Sequence, residues 1–197
     1  MSGHSKWAQI KHQKAASDAK RGQLFSKLSK TLTLAAREGG ADPAANAKLR
    51  EAVAKAKEAN MPSDTIERAI QKAAGSAAAG GNLEPFLYEA YGPGGVALLI
   101  EGTADNRNRS AQEIKHILSE HGAKWAEPGS VQWAFRRTER GPASPASTHQ
   151  RGEPSQGGWE AQEHSKIALS QEDQKKFDGL LEALRKQEDV QEIYSNV

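Results

Sequence analysis

Apolar residues follow two different periods along this chain, and their placement restricts the folds open to it. From about residue 14 to residue 75 they recur at steps of three and four; beyond residue 82 alternating stretches appear between further helical ones. The first spacing lines one face of a helix and the second lines one face of a strand. A helical part followed by a sheet-bearing part is therefore expected.

In the first part, Leu24, Leu28, Leu32 and Ala35, with Phe25 and Ala36 beside them, mark a helix over about 14–38. Gly39 and Gly40 end it, as C-terminal glycines do. A second helix over about 44–59 places Leu49, Ala52, Val53, Ala56 and Ala59 on one face, and Asn60-Met61-Pro62 breaks it. Asp64-Thr65-Ile66-Glu67 has the form of a capping box, opening a third helix that buries Ile66, Ala69, Ile70 and Ala73. Residues 1–75 are thus a basic three-helix domain, and 76–82, rich in Gly and Ala, a linker.

In the second part, Phe86–Tyr91 and Val96–Glu101 form a strand hairpin around Gly92-Pro93-Gly94-Gly95. Thr103–Arg109 is a polar loop, and Ser110-Ala111-Gln112-Glu113 caps a helix carrying Ile114, Ile117 and Leu118. Val131, Trp133 and Phe135 alternate as a half-buried strand. Residues 138–164 are rich in Gly, Pro and Ser, with Trp159 their one large apolar side chain, and are expected to be a disordered linker. Lys166–Leu169 is a strand, Ser170 starts a helix with Phe177, Leu180, Leu181 and Leu184, and Val190–Tyr194 is the last strand. Residues 83–137 plus 165–197 then make a small α/β sandwich with helices on one sheet face, and the whole chain is α+β.

Composition limits the size of these cores. Only 31 of 197 residues are Leu, Ile, Val or Phe, whereas 32 are Ala, so the helices are thin and Ala-packed. The absence of Cys excludes disulfide scaffolds, thiolate metal sites and thiol nucleophiles. The longest apolar run, Val96–Ile100, falls far short of the roughly 20 residues of a membrane span. The first residues carry no secretory signal pattern.

Signatures of catalysis are missing: no Gly-x-Ser-x-Gly, no metalloprotease helix motif and no calcium loop occur. Gly75 and Gly80 have P-loop spacing without the following Lys, and Gly92-x-Gly94-x-x-Ala97 leads into a strand rather than a helix. His116 and His121 are five apart and share no helix face. No catalytic residue, cofactor, metal or small-molecule substrate is expected.

Charge points to a partner. The net charge of +2 conceals a split: residues 1–75 carry 14 Lys/Arg and 7 Asp/Glu (net +7), and 76–197 carry 13 and 18 (net −5). Within the first thirty residues Lys6, Lys11, Lys14, Lys20, Arg21, Lys27 and Lys30 face a single acid, Asp18. Cations at this density suit a phosphate backbone, whose condensed counterions they release. Trp7 and His12 lie among them, and an indole there can stack on an unpaired base. The alternative is a solvated basic helix face with Trp7 packed on the domain. Arg107 and Arg109 form a second candidate, just before a helix N-terminus where anions are favoured; the alternative there is a turn shaped by Asp105 and Asn106 with solvated arginines. Residues 172–192, with 7 acids and 4 bases, are unsuited to nucleic acid.

Several ordered blocks resemble the YebC/PmpR family. They are Gly3-His4-Ser5-Lys6-Trp7, Ile10-Lys11-His12, Lys14-Ala15-Ala16, Asp18–Gly22 and Phe25-Ser26-Lys27, then Asn60-Met61-Pro62, Ile66–Ile70, Tyr88–Gly95, Asp105–Arg109, Gly129-Ser130-Val131 and Asp189–Tyr194. The resemblance covers about 1–137 and 165–197. It implies a helical N-terminal domain with α/β parts, and a DNA-binding transcriptional regulator as in bacterial members. Other members imply a translational activator or ribosome-associated factor that binds ribosomal or transfer RNA. The opening motif lies directly at the start of this sequence, so the resemblance implies a bacterial, cytoplasmic member. Relatives usually insert a third small α/β domain after the strand ending near Phe135; residues 138–164 occupy that place and are too short and polar for one.

Overall fold

A computed structural model describes residues 3–74, 83–138 and 158–197, with side chains described from residue 18 onward except at residue 74. It divides into two compact units, residues 1–84 and 85–197.

The first unit consists of α1 (Gly3–Gly39), α2 (Ala47–Glu58) and α3 (Ser63–Ala74). α1 starts well before the expected residue 14. Apolar periodicity is absent there, but Lys, Ala and Gln are good helix formers and sustain the helix by propensity. The core gathers Leu32, Leu49, Met61 and Ile66 around Ala35, Ala36, Ala52, Ala56 and Ala69. So much Ala lets the helices approach closely, which suits a core poor in large side chains. Asn46 organises the first turn between helices. Its Nδ2 donates to the carbonyls of Ala35 and Gly40, both at 2.8 Å, and its Oδ1 accepts from Leu49 N at 3.1 Å, capping α2. Thr33 Oγ1 donates to the carbonyl of Ala69 at 3.0 Å and ties α1 to α3. Asp64, expected as the cap of α3, lies instead inside its first turn, where a negative charge favours the helix dipole.

The second unit contains β1 (Glu84–Tyr91), β2 (Ala97–Ala104), α4 (Arg107–Glu120), β3 (Lys124–Ala126), β4 (Phe135–Arg137), β5 (Trp159–Ala161), α5 (Gln171–Lys186) and β6 (Val190–Ser195). Four strands form one sheet in the order β3-β1-β2-β6, and β4 pairs with β5 as a separate ribbon. The β1–β2 hairpin and the terminal strand β6, antiparallel to β2, are as expected. Alternation gives the sheet two faces. Phe86, Tyr88, Ala90, Leu98 and Ile100 pack under Ile114, Leu118, Phe177, Leu180 and Leu184 of α4 and α5. On the opposite face Leu87, Tyr91, Ala97 and Leu99 meet Val131, Ala134, Phe135 and Trp159. The chain is α+β, with a helical part followed by a sheet-bearing part.

Close approach at one residue joins β2 to the chain end. A Cβ on Gly102 would lie 2.0 Å from the carbonyl oxygen of Asp189 and 2.4 Å from Phe86 Cζ. That carbonyl accepts from Thr103 N at 2.9 Å, and the β2–β6 register shifts between Glu101 and Gly102.

Several expectations need correction. The strand expected through Val131, Trp133 and Phe135 begins only at Phe135, in β4: Gln132–Ala134 is a 3-10 turn, and Trp133 is 57% exposed. The cause is Glu89, buried on β1, whose carboxylate accepts from Gly129 N (2.6 Å), Val131 N (2.7 Å) and Gln132 Nε2 (2.9 Å). Gly129 N and Val131 N would otherwise be free for a ladder. Ser110 does not cap α4; Asn106 does, accepting from Arg109 N at 3.1 Å. Ser110 is buried one turn further on, donating to the Asp189 carboxylate. Lys166–Leu169 is extended without being a strand, although Ile167 N donates to the carbonyl of Asn196 at 2.9 Å.

The expected linkers lie mostly outside the described residues: 76–82 entirely, and 139–157 of the stretch 138–164. The remainder of that stretch is ordered. Residues 159–161 form β5 and 163–165 a 3-10 turn. Trp159 supplies the reason: its Nε1 donates to Glu101 Oε1 at 2.7 Å, and its ring lies under the Arg137 guanidinium. Thr138 N donates to the carbonyl of Gly158 at 3.0 Å, so the two chain ends flanking 139–157 meet at the ribbon's end.

Candidate nucleic-acid interface

The expected basic site is carried by α1. At 1.5 Å per residue its 37 residues extend about 55 Å, against about 18 Å for the 12-residue α2 and α3. Among the described side chains, those of α1 packed in the core are Phe25, Leu28, Leu32, Ala35 and Ala36. The helix begins 22 residues before Phe25, about 33 Å along its axis. That stretch contains Lys6, Trp7, Lys11, His12, Lys14, Lys20 and Arg21. The side chains of the first five lie outside those described.

Lys20 and Arg21 are exposed, as are Asp18, Ala19, Gly22 and Leu24 around them. Among the described residues, neither cation is paired with a carboxylate. Lys27 and Lys30, half-buried, lie where α1 enters the bundle, and the Lys27 carbonyl accepts from Thr31 Oγ1 at 3.1 Å. Of the four cations of α2, Lys48 pairs with Glu38 at 2.9 Å and Lys55 with Glu51 at 3.2 Å, while Arg50 and Lys57 form no ion pair among the described residues. Lys20 and Arg21 thus form no ion pair among the described residues, with exposed Asp18 one turn before Arg21.

Arg107 and Arg109 belong to the second unit, at the start of α4. Both are exposed, but Arg109 lies between two carboxylates, 2.7 Å from Asp105 Oδ1 and 3.8 Å from Glu113 Oε1. Its charge is already answered within the turn. The Arg107 carbonyl accepts from Tyr88 OH at 3.1 Å, which anchors the backbone and leaves the guanidinium outside. On α5, Lys176 pairs with Glu172 and Lys186 with Glu182. No cluster of His, Asp and Glu suited to a metal occurs among the described residues, and none of their helices is long and apolar enough to cross a membrane.

The comparisons with known proteins follow the same division of the chain. Residues 5–76 match the family model described as the TACO1/YebC protein N-terminal domain, and residues 83–149 match that of the TACO1/YebC second and third domain. The chain belongs to the TACO1/YebC family. A probable transcriptional regulatory protein of Petrotoga mobilis is 60% identical over 137 residues, 70% of this chain and 54% of that protein. One of the same name from Halothermothrix orenii is 59% identical over 137 residues, with the same shares. The chain spans about half the length of these curated relatives. Its fold is similar to the crystal structure of a conserved hypothetical protein from Aquifex aeolicus, with a TM-score of 0.76 and 33% identity over 91% of this chain and 90% of that one.

Proposed function

We propose that this TACO1/YebC member is a non-enzymatic, nucleic-acid-binding transcriptional regulator of the cytoplasm, and that residues 1–75 hold duplex DNA through the basic part of α1. The observation that carries this reading is the exposed pair Lys20 and Arg21 of α1, neither in an ion pair among the described residues. Lys11, Lys14, Lys20 and Arg21 contact phosphates, and the names of the relatives support a regulatory role. Each phosphate neutralised contributes about 0.9 to the salt slope of log affinity, so four contacts give a slope near −3.6. Arg107 is a secondary contact; Arg109, held by two carboxylates, contributes less.

A second reading is favoured by Trp7, set among Lys6, Lys11 and His12. An indole among cations suits unpaired bases, and the same surface would then bind ribosomal or transfer RNA in a translation factor.

Gel shifts on duplex DNA at physiological salt, run beside cosedimentation with ribosomes, separate the two. The first reading expects salt-sensitive duplex binding that Lys11→Glu plus Lys14→Glu abolishes. Ribosome association abolished by the same pair, with only weak duplex binding, would establish the second instead. Binding of both partners unchanged in the double variant would remove this surface from either function.

A further inference from the structure

We draw no further inference here: the strongest candidate, the exposed indole of Trp133 on the 3-10 turn ahead of β4, is a single apolar side chain whose Nε1 already donates to the carbonyl of Ser130, and nothing in the structure shows what covers it.

Discussion

The two units assemble their cores from different distances along the chain. In the helical unit, α1, α2 and α3 follow one another, and Asn46 alone serves the end of one helix and the start of the next. In the sheet unit, the last thirty residues are built into the core of the first thirty. Val190 and Ile193 join Phe86, Leu98 and Ile100 in one cluster, and Asn196 Oδ1 accepts from Ala97 N at 2.8 Å. The first is a basic bundle closed by neighbours in sequence; the second is closed by its own chain ends. Such a division lets one part be selected for charge and the other for packing. Substitutions should therefore separate: those on α1 before Phe25 alter binding and leave stability alone, and those in the sheet unit do the reverse.

The largest test removes residues 165–197. The sheet unit should lose its cooperative transition, since Phe177, Leu180 and Leu184 leave the core, while the helical unit keeps its amide protection in hydrogen exchange. Protection lost equally in both units would show that they are not separable. Next, Leu180→Ala, fully buried, should destabilise by about 2–5 kcal/mol, read from denaturant unfolding, without changing DNA affinity. Gly102→Ala should cost about 1–3 kcal/mol or more, because the atom in its way is a backbone carbonyl that already accepts a strand hydrogen bond. Glu89→Gln follows at about 1–3 kcal/mol, since an amide cannot accept from Gly129 N, Val131 N and Gln132 Nε2 as a carboxylate does. Any of these that weakens binding at a temperature where the protein stays folded would break the division.

The smallest effect concerns pH. A hydrogen bond from Lys166, reinforced by the charges of Lys166 and Arg136, holds the exposed Glu163 carboxyl below the ordinary glutamate range. Its slight stabilisation is present above that range and is lost as pH falls through the lowered value. Carboxyl titration by NMR should show the depression in wild type and its disappearance in Lys166→Met, with no change in nucleic-acid affinity.

The same contrast explains what could be read from residues alone. The helical unit was legible because its signals are local: Leu28, Leu32 and Ala35 at helical spacing, and a break at Asn60-Met61-Pro62. The Ser170 cap of α5 was legible for the same reason, accepting from Asp173 N at 3.1 Å. The failures came where a distant partner decides. Val131, Trp133 and Phe135 alternate as a strand does, but a carboxylate some forty residues earlier takes the loop's donors and turns Trp133 to solvent. Trp159 stood in a stretch too polar to fold by itself, and Glu101 lies 58 residues before it. At the candidate site, charge density was visible and the start of α1 at Gly3 was not, since its first residues lack the apolar periodicity that marks a helix.

The hydrogen bond between Thr138 and Gly158, below the ladder that pairs Arg137 with Trp159, has a consequence for how such chains can change. A connection whose two ends are already held together adds little when its length is altered: the entropy of closing a loop grows only logarithmically, about 0.6 kcal/mol for each doubling. The ribbon therefore works as a socket, insulating the body from the content of residues 139–157. A whole domain, a short polar stretch or a tight turn can be exchanged at that point by insertion or deletion, and the sheet beneath it has no reason to move.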